Sequence, residues 1–193
     1  MYFRRQDDRR LVSFQIDESE YASRIERVRT TLEERKLDAL YMTNGVSMYY
    51  LTGYSFISTE RPAALLLPSD GKITFLGPLL EKDHIPLKTK LIQEIKTYID
   101  YPGEKHPIDC FSEFLTEMKL NNKRIGTDSM SGTAGMWGYT GPALPSKLPD
   151  AKFVDASDIV WTMRLTKSEA EVELIRESSK WANLAHSVAG ICF

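Results

Sequence analysis

The alternation of apolar and polar positions changes period along the chain, and each change marks an element. Asp17 and Glu20 have the spacing of a capping box, in which side chain and backbone satisfy each other at the start of a helix. Behind them Tyr21, Ile25, Val28 and Leu32 recur at helical spacing as one apolar stripe, with Arg24, Glu26, Arg27 and Glu34 on the opposite, solvated face. Asp38–Thr43 is short and largely apolar, which predicts a buried strand ended by Asn44-Gly45. Val46–Leu51 then predicts a short helix before Gly53. Ala63–Leu67 and Ile73–Leu76 are β-like runs flanking Pro68-Ser69-Asp70-Gly71-Lys72, and Asp-Gly between apolar runs predicts a hairpin. A helix opening behind Gly77-Pro78 is expected over Leu79–Ile85. Ile92–Ile99 predicts a strand broken by Pro102-Gly103, and Ile108, Phe111, Leu115 and Met118 predict a helix over Pro107–Leu120. Arg124–Asp128 and Lys152–Asp155 predict two further short strands. Ser168 and Glu171 form a second capping box, opening a helix that runs to about Ala189.

Strands separated by helices in this order indicate an α/β fold: a three-layer domain with a mixed β-sheet flanked by helices, followed by one long C-terminal helix. The hairpin supplies the antiparallel part. Residues 1–18 read as a charged, aperiodic lead-in, with an edge strand at Arg10–Phe14; residues 19–160 form the α/β domain; residues 161–193 form a linker and the last helix. That helix carries two apolar stripes: Val172, Ile175, Ala182 and Ala189, and Leu174, Trp181, Ala185 and Val188. A helix apolar on two sides needs partners on two sides, so the expectation is self-association and a chain cut short at Gly190-Ile191-Cys192-Phe193, either as one part of a longer protein or as the product of a shortened gene.

The composition, 42% apolar and 27% charged over 193 residues, is that of a globular protein. A net charge of −2 gives no electrostatic case for nucleic acid or an anionic membrane. No apolar run approaches the length of a membrane span, and the N-terminal basic pairs are not followed by a signal-peptide core, so a cytoplasmic location is expected. Cys110 and Cys192 have no CxxC spacing; two reduced thiols fit better than a disulfide, which stays open. His84, His106 and His186 have no His or carboxylate at metal-ligand spacing, and nucleophile-elbow and nucleotide-binding fingerprints are missing. Gly132–Gly141, with Trp137 and Tyr139, reads as a loop and helix packed by its aromatics. Glu18, Glu20, Glu33, Glu34, Glu169, Glu171 and Glu173 sit on faces expected to be solvated, without the shielding that separates the pKa values of an acid–base pair. No catalytic set is legible in the residues themselves.

Four segments together nevertheless resemble one family. Asp38–Thr43 followed by Asn44–Tyr50 and Leu51-Thr52-Gly53-Tyr54, the Leu65–Lys72 hairpin, Arg124–Asp128, and Asp155–Arg176 with its Met163-Arg164-Leu165-Thr166-Lys167-Ser168-Glu169 core are similar, in order and spacing, to the N-terminal domain of creatinases and Xaa-Pro peptidases (prolidase and aminopeptidase P). The resemblance runs from about Tyr21 to Val188. It implies a creatinase N-terminal-like α/β domain with a ribonuclease H-like motif, then the first helix of a pita-bread catalytic domain. It further implies a homodimeric hydrolase cleaving the C–N bond of a proline-containing peptide with two divalent metal ions (Mn, Co or Zn) held elsewhere in the whole enzyme. No position here receives the metal ligands, so neither a metal site nor a catalytic residue is carried over. One functional position does transfer: Arg61, directly before Pro62 and eight residues past Gly53, stands where the family's arginine reaches a neighbouring subunit's substrate carboxylate. Thr59 replaces an aromatic that packs on creatine, which argues against that substrate. Arg61 as a surface arginine remains the other reading. Tyr54 and Phe56, substrate-side candidates on the same stretch, read more readily as core or interface aromatics. A free-standing binding or assembly module without hydrolase activity is the alternative to the peptidase reading.

Overall fold

A computed structural model describes residues 15–57, 59–99, 105–133 and 138–191. The expected strand at Arg10–Phe14, the Pro102-Gly103 break, Trp137 and Cys192 lie outside the described residues. Two compact units divide the chain, one being Glu18–Leu165 and the other carrying the C-terminal helix.

Among the described residues of the larger unit, β1 (Ala39–Met42), β2 (Ala64–Pro68), β3 (Thr74–Pro78), β4 (Glu94–Tyr98), β5 (Arg124–Thr127) and β6 (Lys152–Asp155) form one sheet in the order β4-β3-β2-β1-β5-β6. β2 runs antiparallel to both its neighbours, and the remaining pairs are parallel. The carboxyl ends of five strands therefore share one edge of the sheet with the amino end of β2. Side chains alternate strictly between its faces. Leu40, Met42, Leu65, Leu67, Ile73 and Phe75 point to one core, while Tyr41, Ala64, Leu66 and Leu76 point to the other. The first core is covered by α1 (Glu18–Arg35), α2 (Gly45–Thr52), α3 (Ile85–Lys88) and α5 (Ser157–Leu165), through Ile25, Val28, Leu32, Met48, Leu51, Ile85, Ile159 and Val160. The second is covered by α4 (Pro107–Glu117) and the 3-10 turn Leu144–Lys147. Each fully buried Leu, Ile, Val or Phe contributes roughly 1.5–3 kcal/mol. This is the expected three-layer α/β architecture with a mixed sheet.

Three local expectations need correction. The helix expected over Leu79–Ile85 is a 3-10 turn, Leu79–Glu81, followed by the separate short α3. Pro86 is the reason: inside a continuous helix it would lack the N–H and clash with the carbonyl four residues back, whereas in the first turn of α3 neither matters. The sequence signals no helix between Asp155 and Thr166, yet Ser157–Leu165 forms α5, turning Ile159, Val160 and Met163 into the core. Trp161 and Leu165, apolar but exposed, blur the stripe that Ile159, Val160 and Met163 would otherwise form at helical period. Arg24, expected on the solvated face of α1, is buried, and the carboxylate of Glu20, expected to close a capping box with Asp17, is drawn to it instead.

In the second unit α6 (Glu169–Ile191) opens on the expected capping box, Ser168 N donating to Glu171 Oε2 at 2.9 Å and Glu171 N to Ser168 Oγ at 3.2 Å. Ile175, Trp181 and Val188, from its two apolar stripes, are exposed, and Trp181 Nε1 donates to Glu177 Oε1 at 3.1 Å.

Candidate functional site

The shared edge of the sheet carries the groups that hold Gly53–Phe56 and, farther along the chain, Pro62. Asn44, immediately after β1, caps α2 by accepting from Val46 N and Ser47 N at 3.0 and 3.1 Å. Asp128, immediately after β5, reaches the same turn, its carboxylate accepting from Thr43 N at 3.0 Å, Thr43 Oγ1 at 3.1 Å and Asn44 N at 2.9 Å. Burial raises the Asp128 pKa above the ordinary carboxylate value, although these donors pull it down. The clamp fastens the start of α2 to the end of β5. Beneath it the buried Tyr41 hydroxyl donates to Gly132 O at 3.2 Å, and burial raises its pKa well above the usual tyrosine value.

α2 ends at Gly53, whose φ of 71° is the left-handed conformation a C-cap needs, its N–H donating to Tyr49 O at 2.8 Å. This turn directs Tyr54 inward. Its ring meets Phe75 edge-on at 5.5 Å, and its hydroxyl donates to Glu81 Oε2 at 2.5 Å. Burial first, and then Glu81, raise its pKa far above the ordinary value. The same Glu81 oxygen stands 3.4 Å from His84 Nδ1. Phe56 meets Phe75 at 6.0 Å, so the structure gathers Tyr54 and Phe56 on a single ring of β3. The carbonyl of Phe56 lies over the start of α2, where a Cβ on Gly45 would come within 2.6 Å of that oxygen. Only glycine admits so close an approach.

Arg61 follows on the same stretch, where the chain enters β2. Its side chain is 39% exposed, and its Nε stands 3.8 Å from Glu60 Oε1. Glu60's pKa is lowered by its own backbone amide and by Thr59, with a smaller contribution from Arg61. The next residue is held tightly: Pro62 O accepts from the buried Tyr98 hydroxyl at 3.0 Å. The result is a partly exposed side chain, with its Nε buried, next to a firmly held Pro62 carbonyl.

Arg24, Asp128 and Tyr98 were missed as supports of this edge. Arg24 has a signal in retrospect, Tyr21 three residues before it and Glu20 four, which gives one cation both an aromatic and a carboxylate partner. Asp128 closes one predicted strand and Tyr98 stands one residue before the end of another, but nothing local says what they meet.

The histidines take local roles. His106 caps α4, its Nδ1 accepting from Ile108 N at 3.2 Å, and packs edge-on against Tyr139 at 5.9 Å. Cys110 is a free, half-buried thiol whose pKa is raised by burial. Among the described residues no group of three or more His, Cys, Asp or Glu side chains is placed to hold a metal ion. The described residues therefore offer no ligand set for the two divalent ions that the resemblance implies. No described helix is long and apolar enough to cross a membrane.

Comparison with known proteins places this geometry in context. The sequence model of the creatinase/prolidase N-terminal domain matches residues 24–166. An uncharacterized hydrolase/peptidase of Sinorhizobium fredii is 28% identical over 173 residues, which is 84% of this chain and 42% of that protein. Ectoine hydrolase of Halomonas elongata is 27% identical over 183 residues, 91% of this chain and 45% of that protein. The chain thus spans less than half the length of these relatives. In structure it is similar to a dipeptidase of Pyrococcus horikoshii OT3, with a TM-score of 0.65 at 22% identity over 86% of this chain and 43% of that one. It is also similar to a proline dipeptidase of Streptococcus pneumoniae, with a TM-score of 0.58 at 22% identity over 74% of this chain and 98% of that one. At this identity the structural likeness concerns the fold.

Proposed function

Since the chain belongs to the creatinase/prolidase N-terminal domain family, we propose that it is the substrate-side and dimerisation domain of an Xaa-Pro peptidase-like hydrolase. The whole protein cleaves a C–N bond in a proline-containing peptide, and this domain contributes binding rather than bond-breaking chemistry. The two divalent ions, Mn, Co or Zn, are held outside this chain. The free Cys110 thiol supports a reducing, cytoplasmic setting.

What supports this reading is Arg61, partly exposed beside the held Pro62 carbonyl, at the position where the sequence resemblance implies a substrate-binding arginine. Its planar guanidinium offers two parallel N–H donors to a substrate carboxylate, a charge-assisted contact worth roughly 1.5–3 kcal/mol. In a homodimer the carboxylate is that of a peptide in the other subunit's site. Tyr54 and Phe56 serve this contact indirectly, by fastening the preceding stretch to Phe75 and Glu81.

The test is steady-state kinetics of the full-length protein on an Xaa-Pro dipeptide. Arg61→Ala is expected to lower kcat/KM about tenfold to a hundredfold, since about 1.4 kcal/mol is a factor of ten. Arg61→Lys recovers only part, because an ammonium lacks the fork. An unaltered kcat/KM in Arg61→Ala contradicts the assignment.

A further inference from the structure

The backbone that carries Arg61 is restrained from three directions. As the residue before a proline, Arg61 is kept out of the helical region by the proline ring. The ring of Pro62 fixes its own φ near −65°. The soft torsion left next to Arg61 is rotation about the Cα–C bond of Pro62, which swings the Pro62 carbonyl. That carbonyl is the group that Tyr98 holds, at 3.0 Å.

Tyr98 is well built for this task. It is the last residue of β4, in register with Pro78 at the end of β3, so its side chain reaches past β3 to the start of β2. It is 5% exposed, and its ring packs at 6.0 Å against Phe111 of α4 in the second core. Ala63 and Ala64, which follow Pro62, are fully buried. The hydroxyl is thus a fixed point to which a surface residue's backbone is tied.

We infer that Tyr98 is a positioning residue for Arg61: its hydroxyl sets the Pro62 carbonyl and thereby the direction in which the guanidinium is offered to a substrate carboxylate. This rests on the reading of Arg61 given above. A bidentate contact is demanding in angle, and misplacement by about 1 Å at such a contact can cost up to about a hundredfold in rate.

The experiment compares full-length wild type, Tyr98→Phe, Arg61→Ala and the double variant on alanyl-proline and on alanyl-prolinamide, which lacks the carboxylate. Tyr98→Phe keeps the packed ring and removes only the hydroxyl. It is expected to lower kcat/KM for the dipeptide about fivefold to tenfold, chiefly through KM, and to leave the amide almost unaffected. In the Arg61→Ala background it is expected to cost nothing further, because its effect runs through Arg61. Pro62→Ala frees the same backbone without touching Tyr98 and is expected to reproduce the pattern, which keeps the test open if Tyr98→Phe folds poorly. Equal losses on dipeptide and amide, or losses that multiply in the double variant, overturn the inference, since a merely structural tyrosine behaves that way. So does an unimpaired Tyr98→Phe alongside an impaired Arg61→Ala. A wild-type Arg61→Ala overturns the underlying reading of Arg61 instead, and the two failures are distinguishable.

Discussion

The guanidinium of Arg24 lies 4.0 Å from the centroid of the Tyr50 ring, and its Nη1 donates to the Tyr50 carbonyl oxygen at 2.8 Å. One cation thus holds α2 to α1 through both the ring and the backbone of the same residue. Glu20 balances its charge, and the Tyr50 hydroxyl donates onward to Met163 O at 3.3 Å in α5. Replacing Arg24 by Met keeps much of the buried volume but removes the charge-assisted hydrogen bond and the cation–π contact. The expected loss is about 2–4 kcal/mol of unfolding free energy, read from urea denaturation. Arg24→Lys should retain part of it, and an unchanged urea midpoint in Arg24→Met would show the contact to be idle.

Removing the Asp128 carboxylate takes away the acceptor that Thr43 N, Thr43 Oγ1 and Asn44 N share. Asp128→Ala is therefore expected to destabilise by about 2–4 kcal/mol, and Asp128→Asn by less, because its amide oxygen can still accept. Chemical denaturation of both variants decides it; an Asp128→Ala variant as stable as wild type would mean that these hydrogen bonds contribute nothing.

Two lysines close helices in the left-handed conformation, Lys36 at φ 55° after α1 and Lys119 at φ 59° after α4. Each is followed by a bond from the next N–H back to the helix, Leu37 N to Leu32 O at 2.8 Å and Leu120 N to Leu115 O at 2.9 Å. Glycine suits this position, so Lys36→Gly and Lys119→Gly should each stabilise by roughly 0.5–1 kcal/mol. A fall in the thermal midpoint of either variant would show that its side chain contributes more than its strain costs.

Arg35 and Asp158 form a bidentate pair between α1 and α5, Nη1 to Oδ1 at 2.8 Å and Nη2 to Oδ2 at 2.6 Å. The hydrogen bond from Arg35 lowers the Asp158 pKa below its ordinary 3.8. A group whose folded pKa is depressed contributes stability above its unfolded pKa and loses it as pH falls through the folded one. The stability gap between wild type and Asp158→Asn should be constant above about pH 5 and close as pH falls below 3.8. Both side chains are substantially exposed, so the gap should not exceed about 1 kcal/mol and should shrink in high salt. A gap that widens on acidification would reverse the sign of the pair.

β1, β2 and β3 were legible because they are short apolar runs bounded by Asn-Gly, Asp-Gly and Pro, signals that act within a few residues. Leu40, Leu65 and Phe75 announce themselves in that way. What the pattern misassigned is set by contacts distant in sequence. Arg24 looks solvated until Tyr50, 26 residues away, supplies a carbonyl and a ring. In α5 the exposed Trp161 and Leu165 blur the stripe of Ile159, Val160 and Met163, and Pro86 divides a segment that otherwise reads as one helix. The candidate site divides likewise. Arg61 was reached through likeness to a family, since an arginine before a proline has no chemistry legible by itself. The Tyr98 and Asp128 anchors around it depend on strand order, which brings residues 36 and 85 positions apart to one edge.

On the function proposed above, this chain presents substrate to a catalytic centre held elsewhere in the whole protein. Hydrolysis of alanyl-proline by the purified chain and by the full-length protein, each assayed with added Mn²⁺, Co²⁺ or Zn²⁺, tests it most directly. The account predicts metal-dependent turnover by the full-length protein and none by the chain alone; turnover by the chain alone, abolished by a chelator, would contradict it.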